Sequence, residues 1–173
     1  MSTSSSLKQE EKAVSSSVGD GSLIVVNLRG MVNTRAPVRK ALEQLHLVRR
    51  FNATIVPNNE SYLGMLQLCK EHVAWTQADT ALIETLLKAK AEVSDGRKVK
   101  EGELNPKGKT IAEIAKSLAE GESRLDGTQG FRQFFRLNSP KGGFKRSIRR
   151  QYPAGGILGP NPELGTLVQS MIG

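Results

Sequence analysis

With 173 residues and a hydrophobic content of 38%, the chain can form one ordinary domain or two small ones with a largely aliphatic core. The net charge of +8 favours an anionic partner, while the lack of any run near the roughly 20 apolar residues of a membrane span excludes a transmembrane helix. The single cysteine, Cys69, excludes an internal disulfide, and its spacing to His46 and His72 does not match a zinc motif, so no metal or cofactor is expected.

Residues 1–21 are rich in serine and poor in large apolar side chains. Burial of so little apolar surface does not offset the entropy lost on ordering, so we predict a disordered tail. The segment also lacks the apolar core of a signal peptide, which together with the lone cysteine favours a cytoplasmic protein.

A short apolar, β-branched run at residues 23–28 predicts the first strand, which ends before Gly30. Asn33 and Thr34 form a capping pair in front of a helix that has Pro37 in its first turn. The predicted buried face of this helix consists of residues at helical spacing: Val38, Ala41, Leu42 and Leu45.

Two further strands and two further helices are predicted before residue 95. Residues 51–56 predict a strand that Pro57 ends, and a helix follows it. Residues 73–77 predict a third strand, with an irregular exit from the preceding helix as the alternative, and Asp79 caps a third helix. The predicted buried positions of these two helices are Tyr62, Met65, Leu66, Cys69 and Val73, and then Leu82, Ile83, Leu86 and Leu87.

The order strand–helix–strand–helix–strand predicts an α+β domain. A helix between two strands of one sheet makes those strands parallel, with a right-handed crossover. Two helices are therefore expected to cover one face of a small mixed sheet, while the other face, or the strand ends, stays free for a partner.

A polar stretch rich in glycine and proline at residues 95–109 predicts a loop between two lobes. The predicted organisation is a disordered tail at 1–21, a first lobe at 22–94, and a basic second lobe at 95–173.

The second lobe is predicted to contain two helices and one short strand. Thr110 and Glu113 form a capping box before a helix that Gly121 ends. A strand is predicted near residues 134–137, and Pro162 opens the last helix. The predicted buried positions are Ile111, Ile114, Ala115 and Leu118 in one helix, and Leu164, Leu167, Val168 and Met171 in the other.

The run from Gly127 to Pro162 holds seven basic residues and no aspartate or glutamate. Glycines within it allow a backbone to lie close to phosphates, and arginines form forked hydrogen bonds with them. A cationic run without carboxylates attracts a polyanion, for which nucleic acid is the natural candidate. We expect the cations to contact RNA and most of the interleaved phenylalanines to pack in the core. The cations are Arg132, Arg136, Lys141, Lys145, Arg146, Arg149 and Arg150.

A smaller group of cations flanks the strands of the first lobe, where side chains from several strands converge. It comprises Arg29, Arg35, Arg49 and Arg50. Hydrolase and phosphate-loop motifs are absent, and the glycines of 155–159 are only loosely similar to a dinucleotide loop, so we predict no catalytic residue and no enzyme.

A DNA-binding regulator is the alternative function. Residues 110–118 resemble the first helix of a helix-turn-helix, whose next helix enters the major groove. That next segment, 121–127, contains acidic residues and glycines, which suit a recognition helix poorly, so RNA binding is favoured.

Several short motifs in a fixed order resemble one known family over about residues 22–172. They are Leu28-Arg29-Gly30, Arg49-Arg50-Phe51-Asn52, Ser61-Tyr62-Leu63-Gly64, Val73-Ala74-Trp75, Phe135-Arg136-Leu137, Lys141-Gly142-Gly143-Phe144 and Gly155-Gly156-Ile157-Leu158-Gly159. Together they are similar to ribosomal protein thirty of the large subunit, which is called protein seven in eukaryotes. The second lobe, combined with a tail that is rich in serine rather than basic, favours the archaeal form.

The resemblance implies a ferredoxin-like β-α-β-α-β lobe with a three-stranded sheet and helices on one face, joined to a smaller, mostly helical lobe with a basic loop. It implies a structural role in the large ribosomal subunit, without catalysis. The implied partners are large-subunit ribosomal RNA and neighbouring ribosomal proteins, and the resemblance implies no membrane, no small-molecule substrate and no obligate homo-oligomer.

Three positions depart from the family pattern. Leu63 stands where the family often has arginine, which puts one phosphate contact in doubt. Ser139 replaces the first of two prolines before residues 141–144, which we call the glycine loop, and Thr76 replaces a glycine after the tryptophan.

Charge and resemblance together give one set of predicted RNA contacts, drawn from the strand ends, the second helix and the basic run. The set is Arg29, Asn33, Arg35, Arg49, Arg50, Asn52, Tyr62, Gly64, Arg132, Arg136, Lys141, Gly142, Gly143, Phe144, Lys145, Arg146, Arg149 and Arg150.

Overall fold

The computed structural model describes residues 21–92, 110–121, 125 and 131–173. The predicted tail, except Gly21, and the predicted loop at 95–109 lie outside these ranges. The described elements, in chain order, are β1 (Ser22–Asn27), α1 (Ala36–Gln44), β2 (Asn52–Pro57), α2 (Glu60–Leu68), β3 (Val73–Gln77), α3 (Thr80–Lys90), α4 (Ile111–Ala119), β4 (Phe135–Arg136), β5 (Ser147–Gln151), a 3-10 helix (Tyr152–Ala154), β6 (Gly156–Pro160) and α5 (Leu164–Ile172). The α+β class and the β-α-β-α-β order of the first lobe are confirmed.

The direction of the first three strands differs from the prediction. β1 lies between β2 and β3 and pairs antiparallel with both, so the expectation of parallel neighbours joined by a right-handed crossover is wrong. Val26 near the end of β1 pairs with Ala53 near the start of β2, which shows that the chain returns through α1 to the end of the sheet where β1 stops.

The sheet is also larger than the three strands that were expected. Within the described ranges it has six strands in the order β4-β2-β1-β3-β6-β5. β4 pairs antiparallel with β2, β6 pairs parallel with β3, and β5 pairs parallel with β6. Strands from both predicted lobes thus share one sheet, and the division near residue 95 stays a prediction.

The two faces of the sheet are covered by different helices. Leu23 and Val25 point to one face, against α1 and α2, while Ile24 and Val26 point to the other, as the alternation of a strand requires. The second face packs against α3, α4 and α5. Two helices on one face are therefore as predicted, but the other face is not free, and a partner must approach the strand ends or edges.

The helices are buried at most of the predicted positions, whereas Val38, Tyr62, Met65, Ile111 and Leu167 are only partly buried. Leu82, Ile83, Leu86 and Leu87 of α3 are all buried, as are Leu164, Val168 and Met171 of α5. The capping box before α4 is present.

The predicted cap of α1 is wrong. Arg35, not Asn33 or Thr34, occupies the N-cap position and makes no side-chain capping hydrogen bond. Pro37 explains the start of the helix instead, because its fixed φ suits the first turn and its missing N–H would have no partner there.

Candidate nucleic-acid interface

Cations predicted in the two halves of the chain meet at one end of the sheet. At this end β1 stops and β2, β3 and β6 begin, because Asn27 pairs with Val73 and Gly159 pairs with Ala74. β5 pairs with Gly156 and Leu158 of β6, which come before the residues of β6 that pair with β3. We call this surface the cationic end; its exposed cations are Arg29, Arg49, Arg50, Arg136, Lys141, Lys145, Arg146, Arg149 and Arg150.

Asn27 organises the cationic end from inside the protein, a role that sequence reasoning missed. Its buried Nδ2 donates to the carbonyl of Leu47 at 2.7 Å. Its Oδ1 accepts from the backbone N–H of Arg29 at 3.1 Å and of Gly30 at 2.9 Å. An asparagine at the end of an apolar strand, shortly before a glycine, is the signal for such a turn.

Two arginines of this end are held by backbone carbonyls. Arg29 Nη1 donates to the carbonyl of Glu71 at 3.2 Å, and Arg50 Nε donates to the carbonyl of Leu28 at 3.0 Å. A guanidinium has five N–H donors, so each arginine is oriented by one bond and retains donors for phosphate oxygens.

Phe51 and Phe144 join the first lobe to the glycine loop. Their rings stack with centroids 6.0 Å apart and an interplanar angle of 29°. The guanidinium of Arg50 lies 4.6 Å from the Phe51 centroid. The backbone carbonyl of Phe51 also accepts from Leu137 N–H at 3.0 Å. The sequence predicts RNA contact for Phe144 but gives no sign of this pairing, because Phe51 is predicted only as the first residue of a strand, more than 90 positions before Phe144.

The glycine loop leaves open space at its backbone. Gly142 and Gly143 have φ of +82° and +75°, and a Cβ added at either would meet no atom within 4 Å. Lys141 lies against Gly173, just after the last turn of α5, where the helix dipole favours a cation. The loop is therefore anchored on one side by Phe144 and on the other by the end of α5.

β5 presents basic side chains on the outer edge of the sheet. Arg149 and Arg150 are exposed there. The guanidinium of Arg146 lies 5.0 Å from the Tyr152 centroid and forms a 3.3 Å ion pair with Glu163. Because both side chains of this pair are more than 40% exposed, it is weak and can exchange for a phosphate.

Arg132 does not belong to the cationic end. Its Nη1 bonds Glu92 Oε2 at 2.7 Å, and its backbone N–H donates to the carbonyl of Glu92 at 2.8 Å. Both side chains are less than one-third exposed, which favours a structural role.

The ion pair between Arg132 and Glu92 gives a testable consequence. Glu92→Gln is expected to lower the free energy of unfolding by about 1 kcal/mol, since a largely enclosed charged hydrogen bond is lost. Glu84→Gln, which breaks the exposed pair with Lys88, should cost less than about 0.5 kcal/mol in the same urea titration. Equal effects of the two variants would contradict the structural role of Arg132.

Other predicted contacts are spread more widely. Asn52 is only 4% exposed, so its side chain has little surface for a partner. Tyr62 and Gly64 lie in α2, which starts near the opposite end of the sheet. Asn33 and Arg35 are exposed in the connection between β1 and α1.

Cys69 is fully buried, and His72 is partly buried. Burial raises the pKa of the Cys69 thiol to about 11, in agreement with the predicted buried apolar role. Burial, and then the charge of Arg29, lower the pKa of His72, against a smaller opposing effect of Glu71. His72 is therefore neutral at neutral pH and adds no charge to the cationic end.

The described ranges show neither a metal site nor a membrane span. No three His, Cys, Asp or Glu side chains in them are grouped so that they could hold a metal ion. Likewise, no helix in the described part of the chain has the length and apolar character needed to cross a bilayer.

Comparison with known proteins gives one consistent family. The model of ribosomal protein L30p/L7e matches residues 23–73. The large ribosomal subunit protein uL30 of Nitrosopumilus maritimus is 36% identical over 151 residues, which cover 87% of this chain and 97% of that protein. The protein of the same name from Korarchaeum cryptofilum is 35% identical over 153 residues, covering 87% of this chain and 94% of that one. Both matches extend well beyond the first lobe and confirm the predicted resemblance: the chain belongs to the ribosomal protein L30p/L7e family.

Proposed function

We propose that this protein is a structural, non-enzymatic component of the large ribosomal subunit in the cytoplasm, and that its cationic end binds large-subunit ribosomal RNA. The archaeal relatives are named as large ribosomal subunit proteins, which supports the assignment. Neighbouring ribosomal proteins are its other expected partners, and no obligate homo-oligomer is proposed.

One observation carries the RNA assignment: exposed cations from distant parts of the sequence converge on a single surface. Within the described ranges, Arg146 is the only cation of this surface in an ion pair with a carboxylate. The remaining charges repel one another, and a polyanion relieves that repulsion while releasing its own counterions. The surface is thus suited to phosphates rather than to a neutral ligand.

The arrangement favours recognition of RNA shape over base sequence. Arg29 and Arg50 are oriented by backbone carbonyls, and the glycine loop offers backbone that can approach a phosphate closely. Such contacts position a protein on folded RNA but carry little information on base identity.

Replacement of Arg149 and Arg150 by glutamine is expected to reduce the salt dependence of binding to large-subunit RNA. Each lost phosphate contact should lower the slope of log K against log salt concentration by about 1. Filter binding or fluorescence anisotropy from about 50 to 200 mM salt measures this slope.

The matched control removes two charges elsewhere. Lys88 and Lys116 lie on α3 and α4, and their joint replacement by glutamine should leave the slope unchanged. Wild-type binding that does not weaken over this range of salt would contradict the proposed function itself.

The DNA-binding alternative gains no support from the relatives described above, which are named as large ribosomal subunit proteins. The predicted first helix of that motif is present as α4. Its residues Ile114, Ala115 and Leu118 pack in the core between the sheet and α3, α4 and α5. Most of the segment 121–127 lies outside the described residues.

A further inference from the structure

Phosphate binding does not explain the aromatic pair Phe51 and Phe144, which lies beside Arg50 in the cationic end. Phe51 and Phe144 are both only partly buried, although they pack against the main core. A ring that served the core alone would be fully enclosed, as Phe131 and Phe135 are at 3% and 1% exposure.

The backbone of Phe51 is in an unusual conformation. Its φ is +65°, in the left-handed region that aromatic residues rarely adopt. This conformation places the ring beside Arg50 and against Phe144. Strain of this kind persists where the surrounding structure holds it, and it concentrates at binding sites.

We propose that Phe144, supported by Phe51 and Arg50, is a stacking platform for an unpaired base of the bound RNA. This inference rests on the proposed RNA-binding function and adds the kind of nucleotide recognised. Gly142 and Gly143, the two residues that precede Phe144 in the chain, leave open space at their Cα atoms, so a nucleotide can approach the backbone beside Phe144. Lys145 and Arg136, both exposed, supply cations for the flanking phosphates. An aromatic ring flanked by exposed cations is an arrangement that binds unpaired nucleotides, because bases in a duplex are already stacked on one another.

The test compares two RNAs that carry the same number of phosphates: a single-stranded oligouridylate with one 2-aminopurine, which weakly stacking uridines leave unstacked, and a fully paired duplex. Phe144→Leu keeps an apolar side chain next to Phe51, where Phe144 anchors the loop, but removes the aromatic face. It is expected to weaken binding of the single strand by roughly 5- to 150-fold, the range for loss of one stacked base, and to leave the duplex affinity and the salt slope unchanged. The emission of 2-aminopurine should fall on binding to the wild type and to Phe144→Tyr, but not on binding to Phe144→Leu.

The possible outcomes separate this inference from the proposed function. If the wild type binds neither RNA nor large-subunit RNA, the proposed function fails. If Phe144→Leu binds the single strand as tightly as the wild type, with the same change in emission, then no base stacks on Phe144. The proposed RNA-binding function is retained in that case. If Phe144→Leu weakens both RNAs equally, Phe144 only positions the loop, which also overturns the platform. Thermal unfolding of each variant reports separately whether the fold is retained.

Discussion

Gly156→Ala is expected both to destabilise the protein and to dislodge its basic edge strand. A Cβ at position 156 would lie 1.8 Å from the carbonyl oxygen and 2.2 Å from the carbonyl carbon of Arg150. These are backbone atoms, so the clash is relieved only if β5 moves away from β6. We expect the free energy of unfolding to fall by about 1–3 kcal/mol, as for other overpacked sites. The salt slope of RNA binding should also fall by about 2, since Arg149 and Arg150 move with the strand.

Gly165→Ala is the matched control for this substitution. The added Cβ would lie 3.8 Å from Leu82 Cδ2, an ordinary contact, within the helix α5. Alanine at this position should raise the free energy of unfolding by about 0.5–1 kcal/mol, because a helical glycine loses more backbone entropy on folding. Urea titration and RNA binding at several salt concentrations measure both variants. Stability and RNA binding of Gly156→Ala equal to those of the wild type would show that β5 is not held against β6 as described.

Hydrophobic periodicity predicted the helices well because burial determines them. The spacing of Leu82, Ile83, Leu86 and Leu87 requires one apolar helical face whatever it packs against, and α3 buries all four. The β-branched run of β1 is similarly clear in the sequence, since the strand is buried on both faces.

Strand directions and sheet size did not follow from the sequence. The crossover rule applies once two strands are known to be parallel, but periodicity alone gives no direction for β2. β5 and β6 were missed because arginine, glycine and proline have little preference for strands. Their pairing is decided by the open edge of β3, which is a tertiary effect.

Charge predicted the composition of the candidate site but not its geometry. The sequence indicated a basic run and a separate group of strand-end arginines, and the structure brings most of both to one surface. It also separates Arg132, because Glu92, some 40 positions away in the chain, pairs with it. No local sequence pattern identifies an ion-pair partner that lies so far away in the chain.

Phe135→Ala is expected to have the largest effect on stability and to show whether the two predicted lobes unfold together. Phe135 is 1% exposed, lies in β4 and packs in the core beneath α3, α4 and α5. Loss of its ring should lower the free energy of unfolding by about 3–5 kcal/mol, a large part of the total for a small protein. Trp75, the single tryptophan, is fully buried in the other core layer, against α1 and α2. The fluorescence of its ring therefore reports on that layer, while its backbone pairs with Pro160 of β6.

Phe135 in β4 and Trp75 in β3 belong to one sheet and are connected through β2 and β1. In Phe135→Ala we therefore expect a lower urea midpoint for Trp75 fluorescence, equal to the midpoint measured by far-ultraviolet circular dichroism. Phe134→Ala is the control: this neighbouring ring is only half-buried beside Arg136, and its loss should cost about 1 kcal/mol or less. A Trp75 midpoint that stays at the wild-type value in Phe135→Ala, with an earlier transition by circular dichroism, would mean that the lobes unfold separately. The boundary near residue 95 would then separate two folding units, and the shared sheet would contribute little to their coupling.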